Sequence, residues 1–72
     1  MNQYVISFRI PFNVLNTRAF INGACSSDQQ FEAGTTIMVR KATDEDSTSI
    51  LPAEVIDTRR ASRYGYAWDH VK

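Results

Sequence analysis

The sequence predicts a mainly β protein: a small bent sheet or partly open barrel of about five strands, with or without one short helix. Three observations predict it. Tyr4, Ile6, Phe8, Ile10 and Phe12 alternate with Val5, Ser7, Arg9 and Pro11, which gives an extended segment one strongly apolar face. Residues 35–42 concentrate β-branched side chains around Ile37 and Val39. Short apolar runs then recur at intervals of about ten residues, the rhythm of small all-β folds. The alternative class is α+β, with a helix near residues 52–63.

Taken in order, the strand from Tyr4 to Phe12 is the clearest. Pro11 cannot donate a ladder hydrogen bond, so it marks either the strand's end or an edge position. Residues 13–24 support two assignments. Asn13 could cap a short helix through Val14, Leu15, Arg18, Ala19 and Ile21, ended by Gly23. Asn22-Gly23 is also the favoured pair for a type I′ hairpin turn, which would pair Arg18–Ile21 with Ala24–Ser26. The hairpin is the preferred assignment. Ser26 to Gln30 reads as a polar surface loop, and Gly34 as the turn before the strand around Ile37 and Val39. Thr43 to Ser49 is a polar, acidic loop.

Residues 50–63 are ambiguous in the same way. Pro52 and Glu54 early, with Arg59, Arg60 and Arg63 late, suit a helix with matched dipole charges. Apolar residues stop after Ile56, however, and a strand over Ala53–Thr58, a turn and an aromatic strand from Tyr64 is preferred. The segments Phe31…Gly34…Ile37-Met38-Val39 and Pro52–Ile56 resemble the two central strands of SH3-like barrels. That resemblance is to the fold alone, over less than half the chain, and implies no activity.

At 72 residues the chain is read as one domain, 1–72. So short a chain buries only about 60–65% of its unfolded surface, and its margin is thin. Cys25 is the only cysteine and His70 the only histidine. An internal disulfide is therefore impossible, and a Cys/His zinc site lacks ligands. A compact unaided core or a homo-oligomer remains, the latter through an edge strand such as Tyr4 to Phe12. The lone thiol suits a reducing compartment. No apolar run approaches the roughly 20 residues that span a bilayer, and the N-terminus lacks a signal-peptide pattern. The expected location is the cytoplasm, away from membranes.

Eight basic and eight acidic residues cancel, which argues against a dedicated nucleic-acid binder. The charges are unevenly spread. Residues 1–30 carry only Arg9, Arg18 and Asp28, while Asp44, Glu45 and Asp46 form one cluster and Arg59, Arg60 and Arg63 another. Such a dipolar surface suits a protein partner. If residues 64–70 are extended, Tyr64, Tyr66, Trp68 and His70 share a face, as a core row, an interface hot spot or a base-stacking platform. Arg59, Arg60 and Arg63 could grip carboxylates or phosphates, or simply be solvated.

Other motifs fail on inspection. The acidic run lacks the Gly and bidentate Glu of a calcium loop, having Ser49 and Val55 at those positions. Arg59-Arg60-Ala61-Ser62 matches a basophilic kinase site, a pattern common by chance. Nothing places Cys25 beside His70, and the three glycines are isolated. No catalytic residue, cofactor or metal is therefore assigned. The expectation is a non-catalytic protein that binds and modulates another protein, of inhibitor or adaptor type. Small accessory proteins of viruses and mobile elements share this size and profile. Its contact residues would be Arg59, Arg60, Arg63, Tyr64, Tyr66 and Trp68, with Asp44, Glu45 and Asp46 as a second patch. The alternatives are a nucleic-acid-binding module using the same arginines and C-terminal aromatics, and a structural homo-oligomer subunit.

Overall fold

The computed structural model describes residues 3–43, 49–60 and 66–71. It contains β1 (Tyr4–Val14), β2 (Thr17–Ser27), β3 (Thr36–Lys41), β4 (Leu51–Arg60) and β5 (Trp68–Val71). They form one open antiparallel sheet in the order β2-β1-β4-β3-β5. No α-helix occurs among the described residues. The helix considered for residues 52–63 is a strand as far as Arg60, and β3 and β4 pair directly from Thr36↔Glu54 to Val39↔Leu51.

Residues 13–24 correct both sequence assignments. They form neither a helix nor a hairpin turning at Asn22-Gly23. The turn is Leu15-Asn16, whose φ values of 52° and 63° are the paired positive angles of a type I′ turn. β1 and β2 therefore run as one long hairpin, in register from Val14↔Thr17 to Tyr4↔Ser27. Arg18–Ile21 and Ala24–Ser26, expected to pair with each other, lie in line on β2. Ser26 and Ser27, expected in a loop, end the same strand.

Gly23 sits mid-strand because side chains lie across it. A Cβ there would be 2.8 Å from the Trp68 indole nitrogen and 2.9 Å from the Phe8 ring. This close approach closes the fold. Trp68 on one sheet edge meets β2 on the other, and its ring packs edge-on against Phe8, centroids 5.9 Å apart. The bend that permits this has a local cause. Ser7 pairs with Asp57 but Phe8 pairs with Val55, so Ile56 is an extra residue in β4. Such a bulge bends its strand and increases twist.

The concave face holds the core: Ile6, Phe8, Ile10, Cys25, Ile37, Val39, Ala53, Val55 and Trp68, with Tyr4 and Phe31 packed against it. The loop after β2 is pinned to this body. The Phe31 amide donates to Thr58 Oγ1 at 3.3 Å, and the Thr58 hydroxyl donates to the Phe31 carbonyl at 2.8 Å. Gly34 turns the chain as expected, at φ 92°, and its amide donates to the Val55 carbonyl.

Both prolines sit where a missing N–H costs nothing. β1 pairs with β4 only as far as Arg9↔Glu54, so Pro11 and Pro52 lie past the end of that ladder. Pro11 marks an edge, as one of its two expected roles required, while β1 itself continues to Val14. The idea that Tyr4 to Phe12 is an edge strand fails over most of its length, because Tyr4 to Arg9 is paired on both sides.

Candidate docking surface

The β1–β2 hairpin outruns the rest of the sheet. From Ile10 to Ile21 no third strand among the described residues pairs with it, and it projects from the body as an arm in a molecule measuring 43 × 27 × 17 Å. Directly paired residues share a face, so the concave row Ile6, Phe8, Ile10 continues as Phe12 and Val14, with Ile21 and Ala19 opposite. Within the body this row is buried. On the arm nothing among the described residues covers it, and Phe12, Val14 and Ile21 are all exposed.

Leu15 is 93% exposed at the tip. It is also in the left-handed region, where an L residue with a bulky side chain costs roughly 1–2 kcal/mol. Glycine, asparagine or aspartate would ordinarily take that position in a two-residue hairpin. A strained and solvated leucine serves neither the turn nor the core.

At the base of the arm the concave face opens into a pocket of about 370 Å³ lined by Ile21, Lys41, Ser49, Leu51 and Trp68. Leu51 shares its face with the buried Val39 and is itself exposed. The Lys41 ammonium lies 5.8 Å from the Trp68 ring centroid, at the rim. The convex side is more polar. Arg9 donates to Glu54 at 3.1 Å and pairs with it at 2.8 Å, while its guanidinium lies 4.6 Å from the Phe20 ring centroid. Both charged groups are nearly half exposed, so the ion pair contributes at most about 1 kcal/mol.

The residues singled out from the sequence are dispersed. Trp68 is 8% exposed and belongs to the core. His70 packs on Phe31, ring centroids 5.2 Å apart, and its partner in the β3–β5 ladder is the buried Val39, so Trp68 and His70 both face the concave side. Tyr66 is half-buried before β5 begins. Arg59 and Arg60 are exposed near the end of β4, and because they are successive they point to opposite faces. Arg59 lies 3.9 Å from Asp57. Arg63, Tyr64, Asp44, Glu45 and Asp46 fall outside the described residues.

Sequence reasoning did not find Phe12, Val14, Leu15, Ile21 and Leu51. One signal was available. Residues 10–17 contain no charge, and no glycine marks the turn they make.

Cys25 is fully buried, and its thiol is pushed up to about 11, by burial first and by the Asp69 carboxylate second. At neutral pH it stays protonated and is no nucleophile. Among the described residues no cluster of His, Cys, Asp or Glu could hold a metal ion. Among the same residues no helix is long and apolar enough to cross a membrane. No protein-family model, curated protein or solved structure matches the chain.

Proposed function

We propose that this is a small non-catalytic protein that binds and modulates another protein, in the manner of an inhibitor or adaptor, through the concave face of its projecting hairpin. The observation that carries this is Leu15, fully solvated and at positive φ at the tip of an arm whose inner row is apolar. Burying a Leu, Val or Phe side chain is worth about 1.5–3 kcal/mol, so docking this row recovers what the free protein forgoes. Lys41, at the rim of the pocket beneath the arm, would form a polar, electropositive edge to that contact, whereas Arg59 and Arg60 pair with Val5 and Tyr4 at the far end of β1. We place the protein in the cytoplasm, where a single buried thiol remains reduced.

Site-specific photo-crosslinking in the native host tests the proposal. A crosslinker at Leu15 should capture one defined protein, one at the convex residue Thr36 should not, and Phe12→Ser should abolish capture. Oligonucleotide binding that weakens steeply with salt and survives Phe12→Ser would instead favour the nucleic-acid alternative.

A further inference from the structure

The arm has two free backbone edges, and they are not equivalent. In a two-residue hairpin the flanking pair, Val14 and Thr17, is hydrogen-bonded, and bonded pairs then alternate along the ladder. Phe12↔Ala19 and Ile10↔Ile21 are bonded pairs. At Asn13↔Arg18, Pro11↔Phe20 and Arg9↔Asn22 the backbone groups turn away from the hairpin. On the β1 side Arg9 uses them to pair with Glu54. Beyond it stands Pro11, which has no N–H to offer, so that edge is blunted. On the β2 side Arg18, Phe20 and Asn22 present N–H and C=O groups outward, and among the described residues no strand pairs with them. This edge has no proline, no bulge and one charge, Arg18.

The geometry points to a second copy of this chain as the occupant of that edge, in an antiparallel two-fold pairing centred on Phe20. The residue pattern selects the copy and the register. Centred there, Phe20 meets Phe20 of the second copy, Ala19 meets Ile21, and Arg18 meets Asn22. No like charges oppose one another, and no charge meets an apolar side chain. The two aromatic rings pair on the convex face, and Ala19 with Ile21 on the concave face, so each face of the strand finds its own kind. The contact is isologous and closes after two copies. In this register Thr17 meets Gly23, over whose face the Trp68 indole of the same chain lies. It goes beyond the docking proposal. Leu15 is left untouched at each tip, and the two concave rows lie side by side as one wider apolar surface.

Sedimentation velocity from micromolar to millimolar protein should show a dimer that dissociates on dilution. Phe20→Pro should leave a monomer with an unchanged far-UV spectrum, because the N–H removed points outward and serves no internal bond. Position 22 is exposed and gives a second test that does not threaten folding. Asn22→Glu, facing Arg18 twice by symmetry, should tighten the dimer about threefold or more, and Asn22→Lys should loosen it comparably. With Cys25 buried and protonated, an engineered thiol reports the register. Phe20→Cys should oxidise to a covalent dimer far faster than Arg18→Cys, which faces Asn22. Backbone amides of Arg18, Phe20 and Asn22 should gain exchange protection as concentration rises. A monomer at millimolar concentration, a dimer that persists in Phe20→Pro, or equal crosslinking at the two positions each overturns the inference. Leu15→Asn should leave the dimer intact, so loss of partner capture with retained dimer separates the failure of one proposal from the other.

Discussion

Leu15 illustrates a conflict between local and global demands that a single side chain can resolve. Both turn residues need φ > 0, and Asn16 tolerates this while Leu15 does not. Leu15→Asn should therefore raise stability by roughly 1 kcal/mol, seen as a higher denaturation midpoint at constant m-value, while weakening partner capture. A stability loss would show that Leu15 makes contacts of its own within the fold. Gly23 is the opposite case. Its space is filled by Phe8 and Trp68, so Gly23→Ala should cost about 1–3 kcal/mol through overpacking, despite alanine's better strand propensity. Cys25 links the core to pH. Its folded pKa lies near 11 against an ordinary 9.0, so the protonated thiol's contribution is complete below pH 9 and disappears as pH rises through 11. Over that window about 2–3 kcal/mol of stability should be lost, and Cys25→Ala should remove that part of the slope. Identical slopes in the two proteins would sink the assignment.

At the scale of elements, what was legible in the sequence depended on whether burial was one-sided. The body half of β1 alternates because Ile6, Phe8 and Ile10 are packed on the concave face while Ser7 and Arg9 on the other face stay partly exposed; Val5, buried on that second face, is the exception. β3 and the Gly34 turn are legible for the same reason. The arm was not legible, because its side chains answer to no core of this chain. Phe12, Val14 and Ile21 continue the concave row, but Phe20 is apolar on the convex side, so β2 shows no clean alternation. Asn22-Gly23 misled for a specific reason. The glycine answers to steric crowding by two rings from distant strands, which no local pattern reveals. The strand over Ala53–Thr58 was read correctly, although the bulge at Ile56 was not anticipated, since a bulge depends on the partner's register. As for the candidate site, the apolar row that begins near Tyr4 and the C-terminal aromatic Trp68 serve one core. In the structure they meet at Phe8 and Trp68, and it is the far end of the first row, Phe12, that faces solvent.

At the scale of the molecule, the fold divides into a closed body and an open arm that share the β1–β2 ladder. Phe8 and Trp68 tie the two sheet edges together, so the body should open only as a whole. The arm, with little buried surface, should open at lower free energy, since local stability tracks buried apolar contact. One ladder tests both statements, because bonded pairs in the two halves are chemically alike. Phe8 and Gly23 exchange hydrogen bonds in the body, and Phe12 and Ala19 do so in the arm. At a protein concentration low enough to exclude dimers, the Phe8 and Gly23 amides should exchange only through global unfolding. The Phe12 and Ala19 amides should exchange by roughly ten- to a hundredfold faster, with little denaturant dependence. Phe8→Leu should then accelerate exchange at Gly23 in proportion to the global stability lost and leave Ala19 nearly unchanged. Trp68 fluorescence and far-UV circular dichroism should still give coincident transitions for that variant, because the ring closing the sheet reports the same event as the strands it closes. Uniform protection along the ladder would mean that the arm is held as firmly as the body without a partner, and an arm so held would have no apolar debt for a second protein to settle.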